Sequence, residues 1–536
     1  MSLPAFAFKQ LELFHIIETD DQHLLNIIGG EWFRILFFFP WEKYRDFAAK
    51  YYEALYSFNI EQAKSFGIKL SVNPEAKGEA KQRLLFERVT MQDEKKQSLS
   101  ETLHQNNVVQ ISAPKIDPLT LSPSVPPRRF HGKKPKCFFS LLKAYIGVGL
   151  MGFSQEPEYV DLHLNNNPSF ARVCGFSPAN KSRSKGYQAL QVPSLRKLQQ
   201  FDQIMKQAGI WSDIKKSEIH KNISSGIIKP EEEMVGDTTH YHAYSGFETV
   251  NYEDDEGKYQ KKSQSKVTKN CRCTDREQCH HEWILADEGA GTVVKSKTKM
   301  YWAHKASVIG LPKQGIAIDA VAVSDAATHD GQTFYPHVKE VLEEYPQLAR
   351  KTKRVLYDSA CDDVKLKEQF LEEFGITLKA SFNPRGKKTI VENLPRGIEK
   401  ISPHGIPTCF ANHEMAYQGI LFSDEKFIFK APVDDNNQSV CIECNQRYLC
   451  CNQSKNETSS RTVTVPFDVL PHIDPNDPPM AKRFKVIMTR RPSVERMIKR
   501  LKCDIGDSRL TKRGNDSFQA YLDKSMIAYH ILLRHG

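Results

Sequence analysis

No run of apolar residues in this chain is long enough to cross a bilayer. The longest, WFRILFFFPW from Trp32 to Trp41, carries an arginine and a proline and is about half of the roughly 20 residues a helical span requires. The N-terminus lacks a basic stretch leading into an apolar segment and a small-residue cleavage site, which argues against secretion. A Gly-rich loop of the kind that cradles phosphates is also missing, so nucleotide-driven chemistry has no basis here. A strong charge imbalance is absent too. Lys and Arg number 75 against 65 Asp and Glu, a net charge of +10 that favours a polyanionic partner without requiring one. In the reducing compartment these absences imply, the twelve cysteines read as thiols or metal ligands rather than disulfides.

What is present divides into stretches of different character. Residues 1–73 mix aromatic and apolar side chains in helical rhythm (Leu11, Phe14, Ile17; Phe47, Tyr51, Leu55) and predict a small helical domain. Residues 74–136 turn polar and Pro-rich, too poor in apolar side chains to bury, and read as an exposed linker with a basic end. Residues 137–225 return to helical pattern, with Pro193 at a helix start, and form a helical domain that can pack or read DNA. From 226 to 536 the pattern is strand-rich at first. KMYWAHKASVIG and GIAIDAVAVSDAATHDG predict strands joined by the turn LPKQG, HVKEVLEEYPQLARK a helix, TKRVLYDSACDD a strand, and VKLKEQFLEEFGI a helix stopped by Gly375. That order is α/β with a mixed sheet. Residues 387–485 read as a β-rich insertion, and a helix closes the chain.

The helix predicted from Arg490 to Lys502 carries an apolar face of Val494, Met497, Ile498 and Leu501. Glu495, Lys499 and Lys502 share a second face, with Arg491 at its mouth. A solvated charged helix has the same pattern. Asp237 and Asp358 each follow a predicted strand, so three carboxylates stand at element ends. Converging carboxylates of this kind hold the paired Mg²⁺ ions of phosphodiester chemistry. His329 and Asp330, in THDG, are residue types that suit metal or acid-base work, and a turn after a strand is the better reading of them. CRCTDREQCHHEW brings Cys271, Cys273, Cys279, His280 and His281 close together, and CIECNQRYLCC does the same for Cys441, Cys444, Cys450 and Cys451. Both sets suit structural Zn²⁺, and both suit reduced, unliganded loop cysteines, since neither has a standard finger spacing. Cys137, Cys174, Cys361, Cys409 and Cys503 are scattered and read as packing residues.

VGDTTHYHA, VLYDSACDD and the spacing Arg491, Glu495, Lys502 resemble the three acidic motifs of DDE-type insertion-sequence transposases, in the subgroup whose last motif reads Tyr-Arg-Glu-Lys. SDAATHDG and ASFNPRG are similar to segments between those motifs, and residues 137–225 to the helical region that precedes such a core. The resemblance implies an RNase H-like core with the β-rich insertion between Asp358 and Glu495. It implies Asp237, Asp358 and Glu495 as ligands of Mg²⁺ or Mn²⁺, and Arg491 and Lys502 as contacts to DNA phosphates. It further implies double-stranded DNA partners (terminal inverted repeats and target DNA), a homodimer on DNA, and a prokaryotic, cytoplasmic, nucleoid-associated setting. Met488 stands where the motif has tyrosine, so the implication does not extend to a hairpin step. Two rivals stay open: a catalytically silent, zinc-stabilised DNA-binding protein, and an RNase H-like nuclease that cuts without joining.

Overall fold

In a computed structural model of the chain, the described residues are 31–65, 68–72, 84–88, 135–176, 191–244, 247–253, 259–265, 267–269, 283–296, 299–383, 388–450 and 460–535. The elements that position the site are α1 (Phe138–Leu150), α2 (Ile210–Ser224), β1 (Glu233–His242), β2 (Lys299–Leu311), β3 (Ile316–Ala322), α3 (Asp330–Glu344), β4 (Arg354–Tyr357), α4 (Val364–Phe374), β5 (Thr377–Ala380), α5 (Ser493–Lys499) and α6 (Asn515–His535).

The strands form a mixed sheet of order β3-β2-β1-β4-β5, with Gly291–Ser296 added against β2. The first three run antiparallel to their neighbours. The LPKQG turn works as its residues require: Gly315 takes φ +66° with open space around it, a conformation that costs other residues strain. β4 and β5 then run parallel to β1, and each is reached through a helix, the connection a parallel pair demands. α4 begins where Asp363 accepts a hydrogen bond from the Leu366 N–H at 2.9 Å and ends at Gly375, in the left-handed region at φ +64°.

Period-2 alternation assigns the two faces of the sheet. Gly236 faces α3: a Cβ there would stand 2.1 Å from the Phe334 ring. Gly310 pairs with Val235 on the opposite face and meets α5, where a Cβ would stand 2.3 Å from the Met497 sulfur. On the α3 side Phe334 stacks against Tyr357, centroids 4.1 Å apart, and against Phe370 of α4. Burial of each such ring contributes about 1.5–3 kcal/mol.

α6 is buried on nearly every side, including Asp523, Lys524, Ser525 and His530. It packs on β3 and on α1 and α2, so the helices before residue 225 and the sheet share one hydrophobic core. Its charges are paired. Lys215 of α2 lies 2.8 Å from Asp319 of β3 and 2.9 Å from Asp523 of α6; Lys524 lies 3.0 Å from Asp202.

Two expectations of pattern change. Ile68–Val72 and Leu84–Arg88 form an antiparallel ribbon, which puts strands at the end of the stretch read as helical and inside the one read as linker. The helix expected from Arg490 to Lys502 is shorter. Lys482–Met488 is a separate helix, α5 follows, and Arg500–Asp504 widens into a π-helical turn. Residues 390–450 and 460–480 form small sheets, Ala416–Leu421 with Lys426–Lys430 and Thr462–Pro466 among them, around a hydrophobic cluster of their own. Among the described residues no helix is long and apolar enough to cross a membrane.

Candidate functional site

β1 and β4 set the first two carboxylates side by side. Their parallel register pairs Leu356 with Val235, so two residues further on Asp358 comes level with Asp237. Adjacent strands lie about 4.8 Å apart. Alternation puts both on the α5 face of the sheet. Asp358 ends its strand as the cap of the short helical turn Ser359–Cys361, accepting a hydrogen bond from the Ala360 N–H at 2.9 Å.

α5 delivers the third group through an arginine. Its buried face is Val494 and Met497, with Leu501 beyond, packed on β1, β2 and β3. That orientation sends Arg491 across to the sheet. Its guanidinium donates to Asp237 at 2.7 Å and to Glu495 at 2.9 Å, standing as a cation between the two carboxylates. Asp237 and Arg491 are largely enclosed, while the Glu495 side chain is 63% exposed. The structure thus joins Asp237 to Asp358 by strand register and to Glu495 only by way of Arg491. Lys502 lies against β1. Its ammonium donates to the Thr239 hydroxyl at 3.2 Å and the His240 carbonyl at 2.5 Å, over the Tyr241 ring, because the π-helical turn directs it onto β1. Met488 is half-buried against the core.

Asp237 holds its proton up to about pH 6. Burial is the main cause; Arg491 and the Thr238 N–H oppose it, and the charges of Asp358 and Asp330 reinforce it. Asp330 is the residue that the sequence reading set aside as part of a turn. His329 does make the expected turn, capping α3 by accepting from the Gly331 N–H. Asp330 behind it accepts from the Thr238 hydroxyl at 3.1 Å and pairs with Lys305 at 3.0 Å. A carboxylate from the α3 face thereby borders the two on the α5 face. Only its place just after β3 could have signalled this. The Tyr357 hydroxyl is buried near the same carboxylates, without a hydrogen-bond partner among the described residues.

These are hard oxygen donors beside a guanidinium that already occupies the place of a cation, the chemistry that suits Mg²⁺ or Mn²⁺. As placed, they do not close on one point: among the described residues no group of three or more His, Cys, Asp or Glu forms a metal-holding set. Cys271, Cys273, Cys279, His280 and His281 lie outside the described residues, as does Cys451. Cys441, Cys444 and Cys450 are half-buried thiols. Cys137, Cys174 and Cys361 are buried, and Cys503 is exposed.

No family model matches the chain, and no curated protein matches it at a significant level. Among solved structures, a cryo-EM structure of a piggyBac transposase synaptic complex with hairpin DNA is similar at a TM-score of 0.32 and 8% identity, over 76% of this chain and 69% of that one. A likeness at that level carries no argument about fold or function.

Proposed function

We propose that the chain is a DNA transposase of the DDE type, acting from an RNase H-like core on transposon ends and target DNA. The observation that supports this most is the parallel register of β1 and β4, whose last pair, Val235 with Leu356, lies two residues before Asp237 and Asp358, with Arg491 and Glu495 ion-paired on the same sheet face. The mixed sheet and the β-rich stretch between Asp358 and Glu495 are in keeping with it. Asp237, Asp358 and Glu495 would hold Mg²⁺ or Mn²⁺. Divalent ions held by such carboxylates supply activation of the attacking oxygen and stabilisation of the leaving oxygen in phosphodiester transfer.

The chain's own residues set the rest. Arg491 holds Asp237 and Glu495 in one ion-paired line and compensates their charge. Released from it, the guanidinium has the fork geometry that grips a phosphate. Lys502 serves as a phosphate contact only if it leaves Thr239 and His240; in its present place it ties the π-helical turn to β1. The helices before residue 225 are the candidates for recognising terminal repeats, and two ends held together call for a homodimer on DNA.

The specific observation favouring the silent DNA-binding reading is the exposure of Glu495. The test is Mg²⁺-dependent cleavage and joining of DNA carrying the sequences that flank the native gene, with Glu495→Gln beside the wild type. We expect the wild type to cut and join, and the variant to bind while losing both products by at least a hundredfold. Wild type that binds and never cuts sinks the enzyme reading. Cutting without joining turns it into a nuclease.

A further inference from the structure

The stretch from Ile398 to Pro466 contains a cavity with room for one small occupant, about 20 Å³. Cys409, His413, Cys441, Cys444 and Cys450 all line it. Three separate turns deliver them. At the first, Cys409 donates its N–H to the His413 carbonyl at 3.0 Å and accepts from the Asn412 N–H at 2.8 Å, with Asn412 in the left-handed region at φ 62°. At the second, Ile442 donates to the Ser439 carbonyl and Arg447 to the Cys444 carbonyl, which sets Cys441 inside one turn and Cys444 at the start of the next. The helical turn Arg447–Cys450 follows at once and closes the far wall.

We propose that this cavity is a Zn²⁺ site with Cys409, Cys441, Cys444 and Cys450 as its ligands. The assignment differs from any reading by sequence proximity, since Cys409 enters from more than thirty residues away and Cys451 is not needed. It stands independently of the transposase reading.

Four observations lead to it. First, four cysteines line one small cavity together, and Zn²⁺ takes four sulfurs at about 2.3 Å. Second, Cys409, Cys441 and Cys444 form no disulfide among the described residues. Third, four thiolates around Zn²⁺ leave a charge of about −2, and the side chains of Arg447 and Arg461 line the same cavity to balance it. Arg461 also donates to the carbonyls of Cys450 and Arg396, fixing the wall behind the fourth ligand. Fourth, the cluster of buried residues in this region is small, with Cys441 packed against its edge, and a small core is where a bound metal adds folding free energy. The thiols surround the space without meeting at one point. Rotation about χ1 between staggered wells is the adjustment that closes them. His413 is exposed at the rim, and the proposal leaves it out.

The test uses the full chain purified from zinc-supplemented medium. Thiols are alkylated with iodoacetamide with and without chelator and read residue by residue by mass spectrometry. Exposed Cys503 serves as the internal control and reacts equally in both. The site predicts that Cys409, Cys441, Cys444 and Cys450 are protected together, at least tenfold, and released together by the chelator. Bound zinc should fall by about one equivalent per chain in Cys409→Ser and stay unchanged in His413→Ala. Equal labelling of Cys409 with and without chelator overturns the site even if the substituted chains fail to fold. Zinc retained in Cys450→Ser and lost in His413→Ala overturns the ligand set.

Discussion

At the scale of single residues, Asp237 and His530 oppose one another in pH. Asp237 has its folded pKa raised to about 6, chiefly by burial. Its contribution to stability is present at low pH and is lost as pH rises through 6, which costs about 3 kcal/mol by neutral pH. We expect Asp237→Asn to melt several degrees higher than the wild type at pH 7.5 in chelator and at the same temperature near pH 4. Added Mg²⁺ should raise the melting temperature of the wild type alone; an Asn variant no more stable at pH 7.5 would remove the strain assigned to this carboxylate. His530 behaves in the other sense. Burial pushes its imidazole down to about 3, so its contribution is present above 6.5 and fades as pH falls from there. His530→Gln should flatten the acid side of the melting curve between pH 6.5 and 4, and an acid limb of unchanged slope would contradict this.

Elements are where sequence pattern reads best and where its limits show. The β2–β3 hairpin was legible because β-branched and small apolar residues fill the space between Gly, Pro and Asp. Gly375 was legible as a helix stop because φ +64° suits only a few residues. The length of α5 was not, since a π-helical turn leaves helical spacing nearly intact over one turn. Asp330 was set aside as a turn residue because a turn carboxylate and a site carboxylate look alike until the strand beside them is known. Cys409 was hidden because its companions lie far away in sequence. Gly236 gives a test at this scale. With Phe334 already 2.1 Å from where a Cβ would be, Gly236→Ala should lower stability by about 1–3 kcal/mol through overpacking. Phe334→Leu added to it should recover part of the loss. Equilibrium urea midpoints would read both, and an unchanged midpoint in Gly236→Ala would mean α3 can simply retreat.

At the scale of the molecule, Lys215 ties α2, β3 and α6 together through Asp319 and Asp523. Lys215→Met leaves two buried carboxylates facing each other without their cation, a loss of about 3–5 kcal/mol. Far-ultraviolet and tyrosine signals should shift together in denaturant, since one core is affected; separated transitions would show that the helices and the sheet unfold independently. The same packing has a consequence for the order in which the chain is made. α6 fills the gap between α2 and the sheet, yet it leaves the ribosome after every partner it touches. At about 5–20 residues per second, roughly 15–60 s pass between the synthesis of Ser224 and that of Asn515. Throughout that interval the nascent chain presents Lys215 and an open apolar seam to solvent, and a holdase that shields this seam would govern how much protein reaches its finished state.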